Sequence, residues 1–96
     1  MSVYFIALVD IADREQFSLY EQGFMEIFAR YGGTILAVDD NPNVLEGAWP
    51  HTRTVLMSFP STEDLERWYR SPEYQSIARH RFAASRADVV VIKALA

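Results

Sequence analysis

The first strand-forming segment does not alternate between apolar and polar residues. Residues 3–9 read VYFIALV, an unbroken apolar run rich in β-branched and aromatic side chains that ends at Asp10. A run of this kind predicts a β-strand that is buried on both faces. The segment DVVVIKAL (88–95) repeats the pattern at the other end of the chain. A sheet that contains both strands must therefore be covered on both sides.

Helical periodicity follows the first strand. Asp13, with Gln16 three residues later, predicts an N-cap and a capping box. Apolar residues then recur at steps of three and four, at Phe17, Tyr20, Phe24, Ile27, Phe28 and Tyr31. They form one stripe on a helix. The Gly32-Gly33 pair predicts the end of this helix.

The second half of the chain predicts two more strands and an interrupted helix. The strands are TILAV (34–38) and RTVLMSF (53–59), and a helix begins after the cap residue Ser61. Ser71-Pro72 predicts that this helix breaks and restarts, because serine is a favoured N-cap and proline a favoured first helical residue. The restarted helix is expected to run to about Ser85, before the last strand at 88–95.

The order β-α-β-β-α-β in 96 residues predicts one domain, residues 1–96, of the α+β class. It fits a ferredoxin-like fold, in which both helices cover one face of a four-stranded antiparallel sheet. The helices leave the second face of the first and last strands uncovered. Two sheets packed face to face in a homodimer would cover it, since large exposed apolar patches are rare on monomers. The alternative is a monomer with an unusually apolar exposed sheet.

Composition excludes several classes of function. The chain has no cysteine, which rules out a disulfide framework and thiol catalysis. A net charge of −4 does not favour nucleic acid, although Arg79, His80 and Arg86 leave RNA binding as a weaker alternative. The two histidines lack metal-site spacing, so no metal is expected. The start of the chain has no signal-peptide pattern and no segment is long enough to cross a membrane. We expect a soluble cytoplasmic protein without a membrane partner.

One arginine of the restarted helix lies on the apolar face of that helix. At helical spacing this face holds Tyr74, Ile77, Ala78, Phe82 and Ser85. Arg81 falls in the middle of them. A guanidinium there must be paired or reach a polar cavity, because burial of an unpaired charge is costly. Two interpretations stay open. Arg81 either snorkels or pairs with an acid (Asp10, Glu21 or Glu46), or it binds an anion in a pocket between helix and sheet.

The segment between the second and third strands, DDNPNVLEGAWPHT (39–52), is long for a loop in a small domain. It supplies Glu46, Trp49 and His51. A carboxylate, an indole and an imidazole close together can orient an aromatic or lactone-like substrate and transfer a proton. The other interpretation makes Trp49 a hydrophobic plug against a second subunit, since tryptophan is a common interface anchor. His51 alone carries little weight, because a single loop histidine is usually exposed to solvent.

Four short motifs occur together in this chain: YGGTILA (31–37), LEGAWP (45–50), SFPS (58–61) and WYRSPEYQ (68–75). With them, nearly the whole chain resembles the family of domain of unknown function 1330, in the dimeric α/β-barrel superfamily. The resemblance implies a ferredoxin-like fold and a homodimer whose two sheets form a shared barrel. It also implies a cleft between sheet and helices, which related monooxygenases, isomerases and cyclases commonly use without a cofactor.

The residues and the resemblance together predict a homodimer that binds a small, partly apolar acid or phenol. The expected ligand-binding residues are Arg81, Tyr69, Tyr74 and Trp49, and the candidate catalytic residues are His51 and Glu46. No cofactor is expected. Whether the protein is an enzyme is left open. If it is one, cofactor-free isomerisation, cyclisation or lactone chemistry is the expected class, and the alternative is a non-catalytic module that acts through protein interactions.

The chain departs from the family pattern at one position. Similar sequences usually carry glutamate just before Phe-Pro on the third strand, and this chain has Ser58 there. If that glutamate were a catalytic acid or the partner of Arg81, this chain would lack it, with Glu46 as the candidate replacement.

Overall fold

The structure is a computed structural model that describes residues 1–95. Its elements are β1 (Val3–Ile11), α1 (Arg14–Ala29), β2 (Thr34–Asp39), β3 (Arg53–Phe59), α2 (Thr62–Arg70), α3 (Pro72–Ala84) and β4 (Ser85–Lys93). The strands form one antiparallel sheet in the order β2-β3-β1-β4. The predicted α+β, ferredoxin-like fold is confirmed. Within the described residues, no helix combines the length and the hydropathy needed to cross a membrane.

The capping residues predicted from the sequence begin the helices. Asp13 accepts a hydrogen bond from the backbone N–H of Gln16 at 3.1 Å and so caps α1. The capping box is not completed, because the Gln16 amide instead hydrogen-bonds to Nδ1 of His80 at 2.7 Å. This hydrogen bond connects α1 to α3. The Gln16 side chain therefore contributes to the packing of two helices rather than to the cap of its own helix.

The predicted helix restart is a shared cap. The Ser71 hydroxyl donates to the carbonyl of Trp68 at 2.8 Å and accepts from the N–H of Tyr74 at 3.1 Å. Ser71 therefore ends α2 and begins α3, and Pro72 occupies the first position of α3, where its missing N–H costs nothing.

The last strand begins earlier than the sequence predicted. It runs over Ser85–Lys93 rather than 88–95, because its ladder with β1 continues to the pair Ser85 and Ile11. The extension was not predicted because the unbroken apolar run begins only at Val89, after several polar residues. In the structure, residues 85–88 alternate between half-buried and exposed positions.

The register of the strands assigns each residue to one face of the sheet. The inner face, toward the helices, carries Val3, Phe5, Ala7, Val9, Val55, Met57, Phe59, Ala87 and Val89. The outer face carries Tyr4, Ile6, Leu8, Leu56, Val90 and Ile92, with Ala37 beside Leu56. Ile6 and Leu56 are half-buried, and Val90 and Ile92 are exposed, because no element of the described chain is assigned to this side. The predicted apolar second face is therefore present.

A β-bulge alters the alternation in β2. The register with β3 shifts between Ile35 and Ala37, so that Ile35 pairs with Met57 and Val38 pairs with Val55. Met57 and Val55 both face the helices. Ile35 and Val38 therefore both lie on the inner face although they are three positions apart, which a regular strand would not allow.

The core between sheet and helices is built around Trp68, which is fully buried. Its indole packs against aromatic rings from four other elements, with ring centroids 4.2–6.0 Å away, namely Phe5, Phe24, Phe28, Phe59 and Tyr74. Its Nε1–H has no acceptor within the described chain. The WY motif thus belongs to the core.

The prediction that Phe82 lies on the buried face of its helix was wrong. Phe82 is 54% exposed, because α3 turns Tyr74, Ala78 and Arg81 inward and leaves position 82 at the margin. The guanidinium carbon of Arg81 lies 4.8 Å from the centroid of the Phe82 ring. Phe82 therefore covers the cation from the solvent side.

Candidate functional site: a cavity between α1 and the sheet

A cavity of about 200 Å³ lies between α1 and the inner face of the sheet. Its floor comes from all four strands and its roof from α1, while α3 contributes one residue. The lining side chains are Phe5, Ala7, Val9, Phe17, Tyr20, Glu21, Phe24, Met25, Ile35, Val38, Arg53, Val55, Met57, Arg81 and Val89. The lining is therefore almost wholly apolar, and its charged groups are one acid and two arginines.

The burial of the lining residues gives the cavity an inner end and a mouth. Tyr20 and Arg81 are buried, and they mark the inner end near α3. Met25, Ile35 and Val38 are exposed, and they mark the mouth between α1 and β2. The mouth is open because β2, at the edge of the sheet, has no helix packed over it, and every residue of β2 is exposed.

Arg81 is the buried cation at the inner end. It is only 7% exposed, and its guanidinium carbon lies 5.7 Å from the centroid of the Tyr20 ring. Within residues 1–95, none of the ion pairs involves Arg81. Its three candidate partners are placed elsewhere: Asp10 contacts His51, Glu21 pairs with Arg53, and Glu46 is exposed in its loop.

Tyr20 lines the inner end, and Tyr74 lies behind it. The hydroxyls of Tyr20 and Tyr74 are joined by a hydrogen bond of 2.9 Å. Burial raises the pKa of Tyr20 well above its usual range, and Tyr74 adds to the rise. Burial also raises the pKa of Tyr74, against the opposing effect of Arg81. Both phenols are therefore neutral at physiological pH, so neither neutralises the charge of Arg81.

The mouth holds a charged group that we call the mouth cluster, made of Glu21, Asp40 and Arg53. Arg53 donates to Asp40 at 2.7 and 3.1 Å and to Glu21 at 2.9 Å. Its side chain is 16% exposed, and its guanidinium lies 5.6 Å from the Phe17 ring centroid. Unlike Arg81, this arginine is fully paired, and it connects α1 to the loop after β2.

The structure brings together some of the residues predicted for the site. Arg81 lines the inner end of the cavity, whereas Tyr74 does not line it and reaches it only through its hydrogen bond to Tyr20. Tyr69 lies behind them, with its ring 5.6 Å from that of Tyr74, and it does not line the cavity.

The three loop residues lie apart from this group. Trp49 donates from Nε1 to the hydroxyl of Thr54 at 2.8 Å, and His51 Nδ1 lies 3.3 Å from Oδ1 of Asp10. The strand register turns Thr54 and Asp10 toward the outer face, so Trp49 and His51 lie at that face. Glu46 is exposed. The catalytic role of His51 and Glu46 and the ligand contact of Trp49 stay predictions, and none of the three lines the cavity of this chain.

Ser58, where the family resemblance predicts glutamate, also lies on the outer face. It pairs with Tyr4 on one side and with Thr34 on the other. A side chain at this position points away from Arg81, so the substitution does not explain the unpaired guanidinium.

Sequence reasoning missed Tyr20 and Arg53 as parts of the site, and it named Glu21 as a possible partner of Arg81 rather than of Arg53. Tyr20 looked like one more apolar residue of the α1 stripe. Arg53 shares its parity with Val55, Met57 and Phe59, and this alternation was a usable signal that a charged residue points to the inner face. No comparable signal marked Glu21, because its role depends on where Arg53 lies.

The fold and the cavity define the class of protein. It is a ferredoxin-like α+β protein with a cavity that is closed at its inner end and open at a mouth beside the edge strand β2. The chain belongs to the family described as domain of unknown function (DUF1330), whose model matches residues 2–95. The family predicted from the four motifs is thus confirmed. A comparison with curated proteins gives no match.

Solved structures with this fold include proteins of different descriptions. A protein of unknown function from Rhodopseudomonas palustris, RPA0582, is 19% identical, with a TM-score of 0.85 over 99% of this chain and 83% of that one. SnoaB from Streptomyces nogalater, a cofactor-independent oxygenase, is 14% identical, with a TM-score of 0.72 over 99% and 94%. A dimeric ferredoxin-like protein of unknown function from Jannaschia sp. CCS1 is 14% identical, with a TM-score of 0.70 over 98% and 100%. At sequence identities of 14–19%, these similarities show a shared fold and nothing about function.

Proposed function

We propose that this protein binds a small, partly apolar organic acid in the cavity between α1 and the sheet, with the acid group at Arg81. The observation that carries the proposal is a buried guanidinium without a carboxylate partner at the end of an apolar cavity. Such a charge is costly to bury alone, and a bound carboxylate would supply its missing partner. The neutral phenol of Tyr20, whose hydroxyl is hydrogen-bonded to that of Tyr74, adds a polar group to the same end.

The size of the cavity supports a ligand with a single aromatic ring. Apolar cavities of about 150 Å³ accommodate benzene, and this one has about 200 Å³. A bound ring and the apolar side chains around it would both be removed from water. This favours binding by about 25 cal/mol per Å² of apolar surface buried. A benzoate-like acid therefore fits both the volume and the polarity of the lining.

Replacement of Arg81 by methionine tests this proposal. We expect Arg81→Met to weaken the binding of 4-methylbenzoate about ten- to hundredfold in calorimetric titration, because a charge-assisted hydrogen-bonded pair is lost. The variant should remain folded, since an apolar chain of similar length replaces an unpaired buried charge. Binding of the neutral analogue 4-methylbenzamide should change less than that of the acid.

The matched control is Arg79→Met, which removes an exposed arginine from the same helix. It should leave the binding of 4-methylbenzoate unaltered. Equal affinity of Arg81→Met and the native protein for the acid, or no binding of the acid to the native protein, would contradict the proposal.

We also propose that the chain forms a homodimer through the outer face of its sheet. Apolar side chains occupy the middle of this face, and several of them are exposed. Patches of that kind on soluble proteins mark association surfaces. Trp49 lies at the same face and is suited to pack against a partner subunit. Structural relatives described as dimeric support the proposal.

A charge in the middle of the outer face should prevent this association. Leu56 lies between Ile6 of β1 and Ala37 of β2, so Leu56→Asp would bury a carboxylate in the interface. We expect sedimentation of the native protein at twice the chain mass of 11.0 kDa and of Leu56→Asp at the chain mass. Leu19→Asp, on the exposed side of α1, should stay dimeric. A native protein that sediments as a monomer would exclude the dimer.

A further inference from the structure

The inner end and the mouth of the cavity carry opposite charges. Arg81 is positive and has no carboxylate partner within residues 1–95, whereas the mouth cluster combines one guanidinium with two carboxylates. Arg53 already donates three hydrogen bonds to these carboxylates, so it has little left to offer a ligand. The mouth cluster therefore carries one negative charge in excess.

Asp40 of the mouth cluster stays ionised at neutral pH. Hydrogen bonds from Arg53 hold the pKa of Asp40 below its usual range, and the charge of Arg14 acts in the same direction. Arg14 is exposed, and it forms no ion pair within the described chain, so solvent and salt screen its charge, as they also screen the half-exposed carboxylates of Glu21 and Asp40. Arg53 is much less exposed, and its charge is fixed between the two acids. Among the groups joined by ion pairs, the mouth cluster thus has two carboxylates for one guanidinium.

We infer that the mouth cluster limits the ligand to a single negative charge and sets its direction in the cavity. This inference rests on the proposed function. The mouth end of the lining includes Glu21, Met25, Val38 and Arg53, and Asp40 is bound to Arg53 without lining the cavity itself. An acid with its carboxylate at Arg81 would place its far end near these residues. An apolar far end meets Met25 and Val38 favourably. A second carboxylate at the far end would meet the negative excess and would lose its own hydration.

The ligand class is therefore an aryl or alkyl monocarboxylate, and dicarboxylates of the same length are rejected. Repulsion between like charges near a protein surface is large enough to lower affinity about fivefold or more for one added charge. Selectivity of this kind comes from an unfavourable contact with the wrong ligand as well as a favourable contact with the right one.

Three probes of similar shape separate the effect of charge from the effect of length. They are 4-methylbenzoate, terephthalate and the monomethyl ester of terephthalate, which has the length of the diacid with one charge. In calorimetric titrations at neutral pH and low ionic strength, we expect both monoanions to bind about fivefold or more tightly than terephthalate. High salt should reduce this ratio, because it screens the repulsion at the mouth.

The variant Asp40→Asn removes the negative excess and should reduce the preference for the monoester over terephthalate at least twofold. Glu21→Gln is the second variant, in case loss of the Arg53 contact unfolds the first. The matched control is Asp39→Asn, which removes the same charge from the neighbouring residue, whose pairing with Thr54 places it on the outer face. This control should leave the preference unaltered.

The outcomes distinguish this inference from the proposed function. If the native protein binds all three probes equally, and both mouth variants leave the ratios unaltered, the charge limit is wrong while binding at Arg81 stands. If none of the probes binds, the proposed function fails and the inference fails with it. If Asp39→Asn alters the preference as much as Asp40→Asn does, the effect comes from overall charge, and the mouth cluster has no special role.

Discussion

Trp68→Ala should lower the free energy of unfolding by about 3–5 kcal/mol, the usual cost of removing a large buried aromatic side chain. Trp68 is fully buried, and its indole contacts rings from β1, α1, β3 and α3. No single neighbour can fill the resulting space, because these rings already pack against one another. Domains of this size are stable by about 5–15 kcal/mol, so the variant retains only part of its stability.

Urea unfolding followed by far-ultraviolet circular dichroism measures this effect. The midpoint should fall by about 2 M or more at a fixed protein concentration, with the slope unchanged. Trp68→Phe should lose much less, because it keeps one ring and removes an N–H that has no acceptor within the described residues. Leu19→Ala, at an exposed position of α1, should stay close to the native midpoint. A loss below about 1 kcal/mol in Trp68→Ala would show that the core can collapse around the missing ring.

Gly33→Ala should be strongly destabilising for a steric reason. A Cβ at this position would overlap the Phe28 ring. Phe28 is fully buried, stacks on Phe24 at 4.9 Å and meets Phe59 edge-on at 5.3 Å, so it cannot move away. We expect a loss of about 3 kcal/mol, at the upper end for an overpacked core. The backbone itself contributes little, since positive φ among the glycines is confined to Gly32 and Gly47.

A double-mutant cycle identifies the cause of that loss. Phe28→Leu is destabilising alone, but combined with Gly33→Ala it should cost less than the sum of the two, because the smaller side chain leaves room for the methyl group. Gly23→Ala is the control. Its Cβ would lie 3.0 Å from the Ile77 side chain rather than inside a ring, and a helix interior favours alanine over glycine, so this variant should not show the large loss of Gly33→Ala. Additive effects of Gly33→Ala and Phe28→Leu would contradict the steric explanation.

The fold was predictable because its signals are local and repeated. The run of residues 3–9, the stripe of α1 and the Ser71-Pro72 break each predict one element, and together they fit one topology. The start of β4 was missed because Ser85 and Arg86 extend the ladder by pairing with β1, and pairing is not visible in the sequence. The exposure of Phe82 was not predicted, because the burial of this residue depends on where α3 crosses α1.

The candidate site was predictable only at Arg81. That residue was conspicuous because a charge occupied an apolar helical face. The positions of Trp49 and His51 were not predictable, since residues 39–52 have no periodicity and their path depends on contacts with Thr54 and Asp10. The pairing of Arg53 with Asp40 and Glu21 joins three segments distant in sequence, and helical or strand patterns carry no information about such contacts.

The bulge in β2 has a consequence for solubility. A regular edge strand offers unpaired N–H and C=O groups at a constant spacing, and a strand from another molecule can continue that pattern indefinitely into a fibre. In β2 the shift between Ile35 and Ala37 interrupts the spacing. The exposed edge is therefore a poor template for an added strand, although its side chains are apolar. A closed, finite assembly through the flat side of the sheet is compatible with such an edge, and open-ended aggregation along it is disfavoured.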